Sequence, residues 1–202
     1  VETLPPRGEI RCRIQEQHSQ PPLGDDRWIL LQALVRFEKF EWILEKAAEL
    51  GVTRIIPLQT AYTEAKWRGV SSNRFERWEK ILVESLKQSR RLHLPVVSRP
   101  MRFDQAIGKT EASVKILLSE KPGTPTLKSV ARSMPGFASA SIQTRGTMKV
   151  ALAIGPEGGW ANEEVAFAQG AGYQPVSLGE SILRSETAAV AALSIVRYEF
   201  ED

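Results

Sequence analysis

Val150-Ala151-Leu152-Ala153-Ile154-Gly155-Pro156-Glu157-Gly158-Gly159 joins an unbroken apolar run to a glycine-rich turn, and Asn162 follows where a helix can start. A short apolar run closed by Gly and Pro reads as a buried strand. Apolar residues at every position, rather than at alternate ones, suit a strand covered on both faces, as in a parallel sheet. Glycines around a proline let the backbone approach a ligand closely and present its N–H groups. The end of a strand is also where open α/β sheets bind ligands. A tight connection that needs glycine for its angles is the competing reading. The loop is neither a P-loop, whose lysine and hydroxyl residue are missing, nor a G-x-G-x-x-G fingerprint.

Outward from this stretch the chain keeps the same rhythm. Trp28 to Leu34, Val52 to Leu58, Val96–Val97, Val114 to Leu118 and Pro175 to Leu178 are further apolar or β-rich runs. Helical patterns separate several of them. Phe37, Phe40, Leu44, Ala47 and Leu50 recur every three or four residues, and Gly51 stands where a left-handed cap is wanted. Asn73 with Glu76 predicts a helix start, continued by a buried stripe through Phe75, Trp78 and Leu82. Phe103–Ile107, Asn162–Ala171 and Ser185–Phe200 complete the helices, with Asn162 expected as a cap. The expected fold is α/β, a mostly parallel sheet with helices on both faces. Residues 121–146, rich in Pro, Gly, Ser and Thr, predict an ordered insertion with a weak helix. Glu9 to Gln15 predicts a strand and residues 19–26 a linker.

A second turn runs from the last strand into the last helix, Ser177-Leu178-Gly179-Glu180-Ser181-Ile182-Leu183-Arg184-Ser185-Glu186-Thr187-Ala188. Ser185 is expected to cap that helix, and Glu186 suits the positive end of its dipole. Arg184 has no such structural role. It reads as a binding group at the lip of a ligand loop, or as one half of a surface ion pair.

Composition narrows the function classes. The chain has 202 residues, 42% apolar and 25% charged, enough for one sizeable domain and a small appendage. A single cysteine, Cys12, allows no internal disulfide and fits a reducing cytoplasm. With only His18 and His93 beside it, no Cys/His metal site is expected. No run is long enough to cross a membrane, no secretory signal is seen, and the start at Val1 predicts a missing natural beginning. The net charge of +3 says little, but Arg74, Arg77, Lys80, Lys87, Arg90 and Arg91 crowd one helical segment and its exit. That is a candidate phosphate-contacting surface, with Trp67 and Trp78 nearby, or else a solvated helix face.

Taken together, I-G-P-E-G-G at 154–159 and S-L-G-x-x-I-L-R-x-E-T-A at 177–188 resemble the motifs of the SPOUT methyltransferases. The match is closest to the ribosomal RNA small subunit methyltransferase E family, which methylates uridine N3 in 16S rRNA. Glu41-Trp42-Ile43-Leu44-Glu45-Lys46-Ala47-Ala48-Glu49-Leu50-Gly51-Val52 resembles that family's E-W-I-L-Q-K-A-T-E-L-G-V, and Leu117-Leu118-Ser119-Glu120 its strand ending in glutamate. The likeness spans roughly Trp28 to Phe200.

The resemblance implies a C-terminal deep trefoil knot (the α/β knot), which the usual topology rules would not have suggested. It assigns residues 25–202 to the methyltransferase domain and 1–24 to a remnant of a PUA-like β-barrel with its linker. It implies S-adenosylmethionine (SAM) as cofactor, leaving as S-adenosylhomocysteine. The implied cofactor contacts are Leu118, Glu120, Ile154, Gly155, Pro156, Glu157, Gly158, Gly159, Leu178, Gly179, Ile182, Leu183, Thr187 and Ala188. Arg184, Glu157 and Glu186 are the candidate catalytic residues. Arg74, Arg77, Gln88, Arg90 and Arg91 are candidates for binding RNA, Gln88-Ser89 and Arg91 matching a family E-Q-S-G-R element. The implied partners are ribosomal RNA in the small subunit and a second copy of the chain, with no membrane and no metal.

Three departures stand out. Lys87 and Arg90 replace that element's glutamate and glycine, Thr60-Ala61-Tyr62-Thr63 replaces a T-E-R-S segment, and Arg36 replaces a lysine. The cofactor motifs are intact, whereas the RNA-facing ones have drifted. A methyltransferase of the same class acting on tRNA or 23S rRNA, and a non-catalytic RNA-binding assembly factor, are therefore the alternatives. A nucleotide-binding α/β protein is the weakest.

Overall fold

The computed structural model describes residues 13, 15, 16, 27–64, 67, 70–131 and 148–200. The expected barrel remnant and linker, with Cys12 and His18, lie outside the described residues apart from 13, 15 and 16. So does the insertion from 132 to 146.

Among the described residues, seven strands form one sheet: β1 (Trp28–Ala33), β2 (Arg54–Gln59), β3 (Val96–Val97), β4 (Met101–Arg102), β5 (Val114–Leu118), β6 (Val150–Ile154) and β7 (Gln174–Val176). Every pairing is parallel. The order is β3-β2-β1-β6-β5-β7, and β4 extends the edge along the end of β2. The connections carry α1 (Phe37–Glu49), α2 (Ser72–Ser89), α3 (Phe103–Lys109), α4 (Leu127–Ala131) and α5 (Asn162–Gly170), and α6 (Ser185–Phe200) follows β7.

The all-apolar strands are explained by cover on both sides. Leu30, Ile55, Ile116 and Leu152 pack with Phe40, Leu44, Trp78, Leu82, Ala189 and Leu193 from α1, α2 and α6. Their strand neighbours Ile29, Leu31, Leu58, Leu117, Ala151 and Ala153 pack with Phe103, Ile107, Val165 and Ala168 of α3 and α5. Gln32 in β1 is polar and yet fully buried, unlike the polar residues Arg54, Gln59, Lys115 and Gln174 of the other strands.

Helix ends show where local signals were followed. Gly51 closes α1 at φ +79, with Gly51 N–H donating to Ala48 O (3.1 Å) and Val52 N–H to Ala47 O (3.0 Å), a Schellman motif. Arg90 ends α2 in the same way at φ 57, its neighbour Arg91 N–H donating to Leu86 O (3.2 Å). Here an arginine holds a left-handed conformation that costs an L side chain about 1 kcal/mol. Helix starts differ from expectation. Ser71, not Asn73, caps α2, its Oγ accepting from Arg74 N–H. Asn162 and Ser185 are the first helical residues of α5 and α6 rather than their caps. Asn162 Oδ1 accepts instead from Lys121 Nζ, and Glu164 Oε2 accepts from Ala161 N–H (2.9 Å) to close the start of α5.

Candidate active site

In a parallel sheet the loops leaving adjacent strands rise from one edge. β5 pairs with both β6 and β7, so the segments after Leu118, Ile154 and Val176 are neighbours. They enclose a cleft of about 350 Å³, within the usual size of a small-molecule site. Hydrogen bonds knit its walls. Ser119 N–H donates to Val176 O (2.8 Å), Leu127 N–H to Ser177 O (2.8 Å) and Ser177 N–H to Pro125 O (2.8 Å).

A buried relay joins the two glycine-bearing turns. Gln32 Nε2 donates to Ser185 Oγ (3.0 Å), and Ser185 Oγ donates to Gly155 O (2.7 Å). The first turn of α6 is thereby tied through β1 to the loop after β6. This use of its hydroxyl explains why Ser185 does not cap its own helix. Trp160 makes the second tie, its Nε1–H donating to Leu118 O (2.7 Å). Its indole lies beneath Gly155, where a Cβ would stand 3.1 Å from Cε2 and 3.3 Å from Nε1. Only glycine fits there without moving a hydrogen-bonded tryptophan.

The cleft gathers most of the expected cofactor residues. Leu118, Glu120, Ile154 through Gly159, Leu178, Gly179, Ile182, Leu183 and Ala188 line it, together with Arg184. Thr187 does not line it; it is exposed on the first turn of α6. Gly159 (φ +71) and Gly179 (φ +122) occupy backbone angles that suit glycine. A Cβ on Gly159 would also lie 3.2 Å from Glu120 Oε1, placing that carboxylate at the rim of the loop.

Charge collects beside the cleft. Lys39 Nζ, from the first turn of α1, lies 3.2 Å from Glu157 Oε1 and 3.3 Å from Glu186 Oε1. Glu186 is the more enclosed of the two carboxylates, and its Oε2 is buried without a hydrogen-bond partner among the described residues. Arg184 is exposed and has no ion-pair partner among the described residues. Gln32, Lys39 and Trp160 escaped the sequence reading. Only Gln32 carried a signal, as a polar residue inside the apolar run 28–34.

The candidate RNA-binding residues divide. Arg74 and Arg77 sit at the start of α2, on the same edge as the cleft. Arg74 stacks over the Phe37 ring (3.4 Å to its centre), and Arg77 Nε pairs with Glu41 Oε1 at 2.8 Å. Gln88, Arg90 and Arg91 lie on the order of 20 Å away along the helix axis. There the Arg91 guanidinium covers Gly51 at the opposite edge of the sheet. Trp67 and Trp78 are core, which removes them from any RNA-facing surface. Trp67 Nε1–H donates to Val35 O (2.9 Å) beneath Phe37 and Phe40.

Comparison with known proteins adds independent information. The profile of the RNA methyltransferase domain matches residues 24–197. The chain is 38% identical over 163 residues to the ribosomal RNA small subunit methyltransferase E of Synechocystis sp., covering 80% of this chain and 50% of that protein. It is 30% identical over 195 residues to the protein of the same name from Mycobacterium bovis, covering 94% and 70%. The chain thus spans half the length of the first relative. Among solved structures, the ribosomal RNA small subunit methyltransferase E from Neisseria gonorrhoeae bound to S-adenosyl methionine superposes with a TM-score of 0.70 at 26% identity. That match covers 86% of this chain and 66% of the other.

Proposed function

The chain belongs to the RNA methyltransferase domain family, and from that premise we propose that it is a SAM-dependent enzyme methylating N3 of a uridine in 16S rRNA of the small ribosomal subunit. One observation carries this reading. The two glycine-bearing turns are locked into a single cleft by the Gln32–Ser185–Gly155 relay, with Arg184 among its lining residues.

The residues present fit the cofactor. Leu118, Ile154, Val176, Leu178, Leu183 and Ala188 offer apolar surface to an adenine ring. The backbone of 155–159 and 178–183 supplies its polar edge contacts, and the Glu120 carboxylate is an acceptor for ribose hydroxyls. When bound, the cofactor supplies an electrophilic methyl group on a sulfonium. The protein's own work is to align the base and manage charge.

Uridine N3 carries a proton at neutral pH, and losing it places negative charge on O2 and O4. The Arg184 guanidinium donates hydrogen bonds to that developing charge. Glu157 and Glu186 are our candidates for accepting the proton, and Lys39 pairs with both. Arg74 and Arg77 contact phosphates near the site, while Gln88, Arg90 and Arg91 extend the basic surface along α2.

The same reading extends to architecture. We further propose that the loop into α6 is threaded as a deep trefoil knot and that residues 25–202 form the catalytic domain. The enzyme works in the cytoplasm as a homodimer. Exposed Ile182, Ile195 and Tyr198, in the cofactor turn and along α6, support a shared face.

Transfer of label from radioactive SAM to small ribosomal subunits, followed by nucleoside analysis, tests the reading. The expected product is 3-methyluridine. Another methylated nucleoside overturns the position, and failure to bind SAM in calorimetry leaves the assembly-factor alternative standing. Arg184→Ala is expected to lower kcat by roughly 10²–10³, the scale of a lost oxyanion donor. Full turnover by that variant refutes the charge role.

A further inference from the structure

Thr60-Ala61-Tyr62-Thr63 leaves β2 at the edge where the cleft opens. Four hydrogen bonds fix this turn. Thr63 N–H donates to Thr60 O (3.1 Å), Thr60 N–H donates to Thr63 Oγ1 (2.8 Å), and the two hydroxyls are 3.0 Å apart. Ala61 N–H donates to Glu164 Oε1 (2.8 Å), the carboxylate whose other oxygen closes the start of α5. Tyr62 is therefore presented from a rigid turn.

Its ring lies along the glycine loop. A Cβ built on Gly158 would stand 3.2 Å from Tyr62 Cβ, 3.4 Å from Cγ and 3.5 Å from Cδ2. The missing side chain at 158 is what lets the ring come this close. Past that contact the residue is 57% exposed, with no aromatic or cationic ring partner among the described residues. A single exposed aromatic is ordinary on a protein surface. This one differs in being held rigidly against a loop of the cleft while lying outside the residues that line it.

The surroundings select the kind of ligand. Glu164 anchors the turn and Glu157 follows in the loop, so a bare phosphate is poorly served here. A nucleobase is well served, because any base offers a π-face and stacking tolerates every sequence. Bases of single-stranded RNA are commonly held in this way. The turn also departs from the family pattern the chain resembles, so this face belongs to the chain itself.

We propose that Tyr62 is a stacking platform for the nucleobase flanking the methylated one, held on the outer side of the Gly158 loop. The proposal rests on the RNA methyltransferase reading, and it makes Tyr62 a specificity and positioning residue rather than a catalytic one.

The test uses the SAM-bound, full-length protein and Tyr62→Phe, Tyr62→Leu and Tyr62→Ala. Binding of a fluorescein-labelled oligouridylate is read by anisotropy, beside an abasic oligomer of the same length and calorimetric SAM affinity. Leu and Ala are expected to weaken oligouridylate binding by roughly 5- to 150-fold, the span of one stacked base. Phe restores wild-type binding, the abasic oligomer is insensitive to all three changes, and SAM affinity stays constant. Wild-type affinity in the Leu variant, an equal loss on the abasic oligomer, or no oligouridylate binding by the wild type overturns the proposal. The two readings fail separately. Aromatic-dependent binding without methyl transfer to any RNA sinks the methyltransferase reading alone. Transfer with an unchanged RNA KM in the Ala variant sinks the stacking alone.

Discussion

Ser185→Ala removes the hydroxyl at the centre of the buried relay, and the structure sets the size of the effect. Ser185 is 6% exposed and Gln32 0%. Without the hydroxyl, Gly155 O loses the 2.7 Å donor. Leaving a buried polar group unpaired costs about 1–3 kcal/mol. Gln32 Nε2 keeps its bond to Ala33 O (3.1 Å), so its loss falls at the lower end of that range. Alanine's better helix propensity returns about half a kcal/mol. The balance is a destabilisation of about 2–3 kcal/mol, or roughly 4–12 °C in Tm for a chain of this size. Because the 154–159 loop must then be ordered on binding, SAM affinity falls as well, by roughly tenfold. Thermal denaturation and calorimetry read the two effects. Gln32→Leu supplies the control, since apolar replacement of both partners avoids the unpaired amide. The double variant is expected to be at least about 1 kcal/mol more stable than the two single changes sum to. A Tm within about 2 °C of wild type for Ser185→Ala, or additivity within about 0.5 kcal/mol, refutes the relay as the tie between the turns.

Three further outcomes follow from local geometry. Gly155→Ala sets a methyl group 3.1 Å from the Trp160 indole, which its bond to Leu118 O holds in place; calorimetry should show SAM affinity reduced at least tenfold. Arg90→Gly relieves the left-handed strain at the end of α2 and, after the extra chain entropy of glycine, should raise stability by about 0.5 kcal/mol at most, read as a slightly higher denaturation midpoint. Burial pushes the Tyr173 phenol above its ordinary value, with the Thr110 hydroxyl partly opposing it. The folded state therefore holds that proton more tightly than the unfolded one. Stability is intact below a pH of about 10 and declines as pH rises beyond it, so Tyr173→Phe should flatten the alkaline fall in Tm.

What was legible in the sequence follows from which interactions are local. Short apolar or β-rich runs marked all the strands of more than two residues, and Gly51 marked the end of α1, because both depend on the chain's immediate neighbourhood. The two-residue β4 carries too little pattern to be seen. Asn73, Asn162 and Ser185 were misplaced as caps because their residue type is right while the backbone turns elsewhere. For Ser185 the competitor is Gln32, 153 residues away in sequence, which no local rule can weigh. Lys39 was missed for the same reason, being separated from Glu157 by 118 residues.

The same distinction explains why the glycine-bearing cleft was easier to read than the basic surface. A cleft built from backbone must be written in glycines at fixed angles, and Gly159 and Gly179 hold positive φ while Gly155 and Gly158 admit Trp160 and Tyr62. An RNA-facing surface is written in side chains, and their number does not say where they point. The basic residues of α2 illustrate this, since one helix carries Arg74 to the edge of the cleft and Arg91 to the far edge of the sheet. Tyr62 is the converse case. It belongs to no charged cluster and stands where a motif of the resembled family is lost, and its proposed role comes from the fold pressing its turn against Gly158. Substrate choice in this protein is therefore to be sought in contacts between the glycine loops and the remote segments seated on them, rather than in the count of its cations.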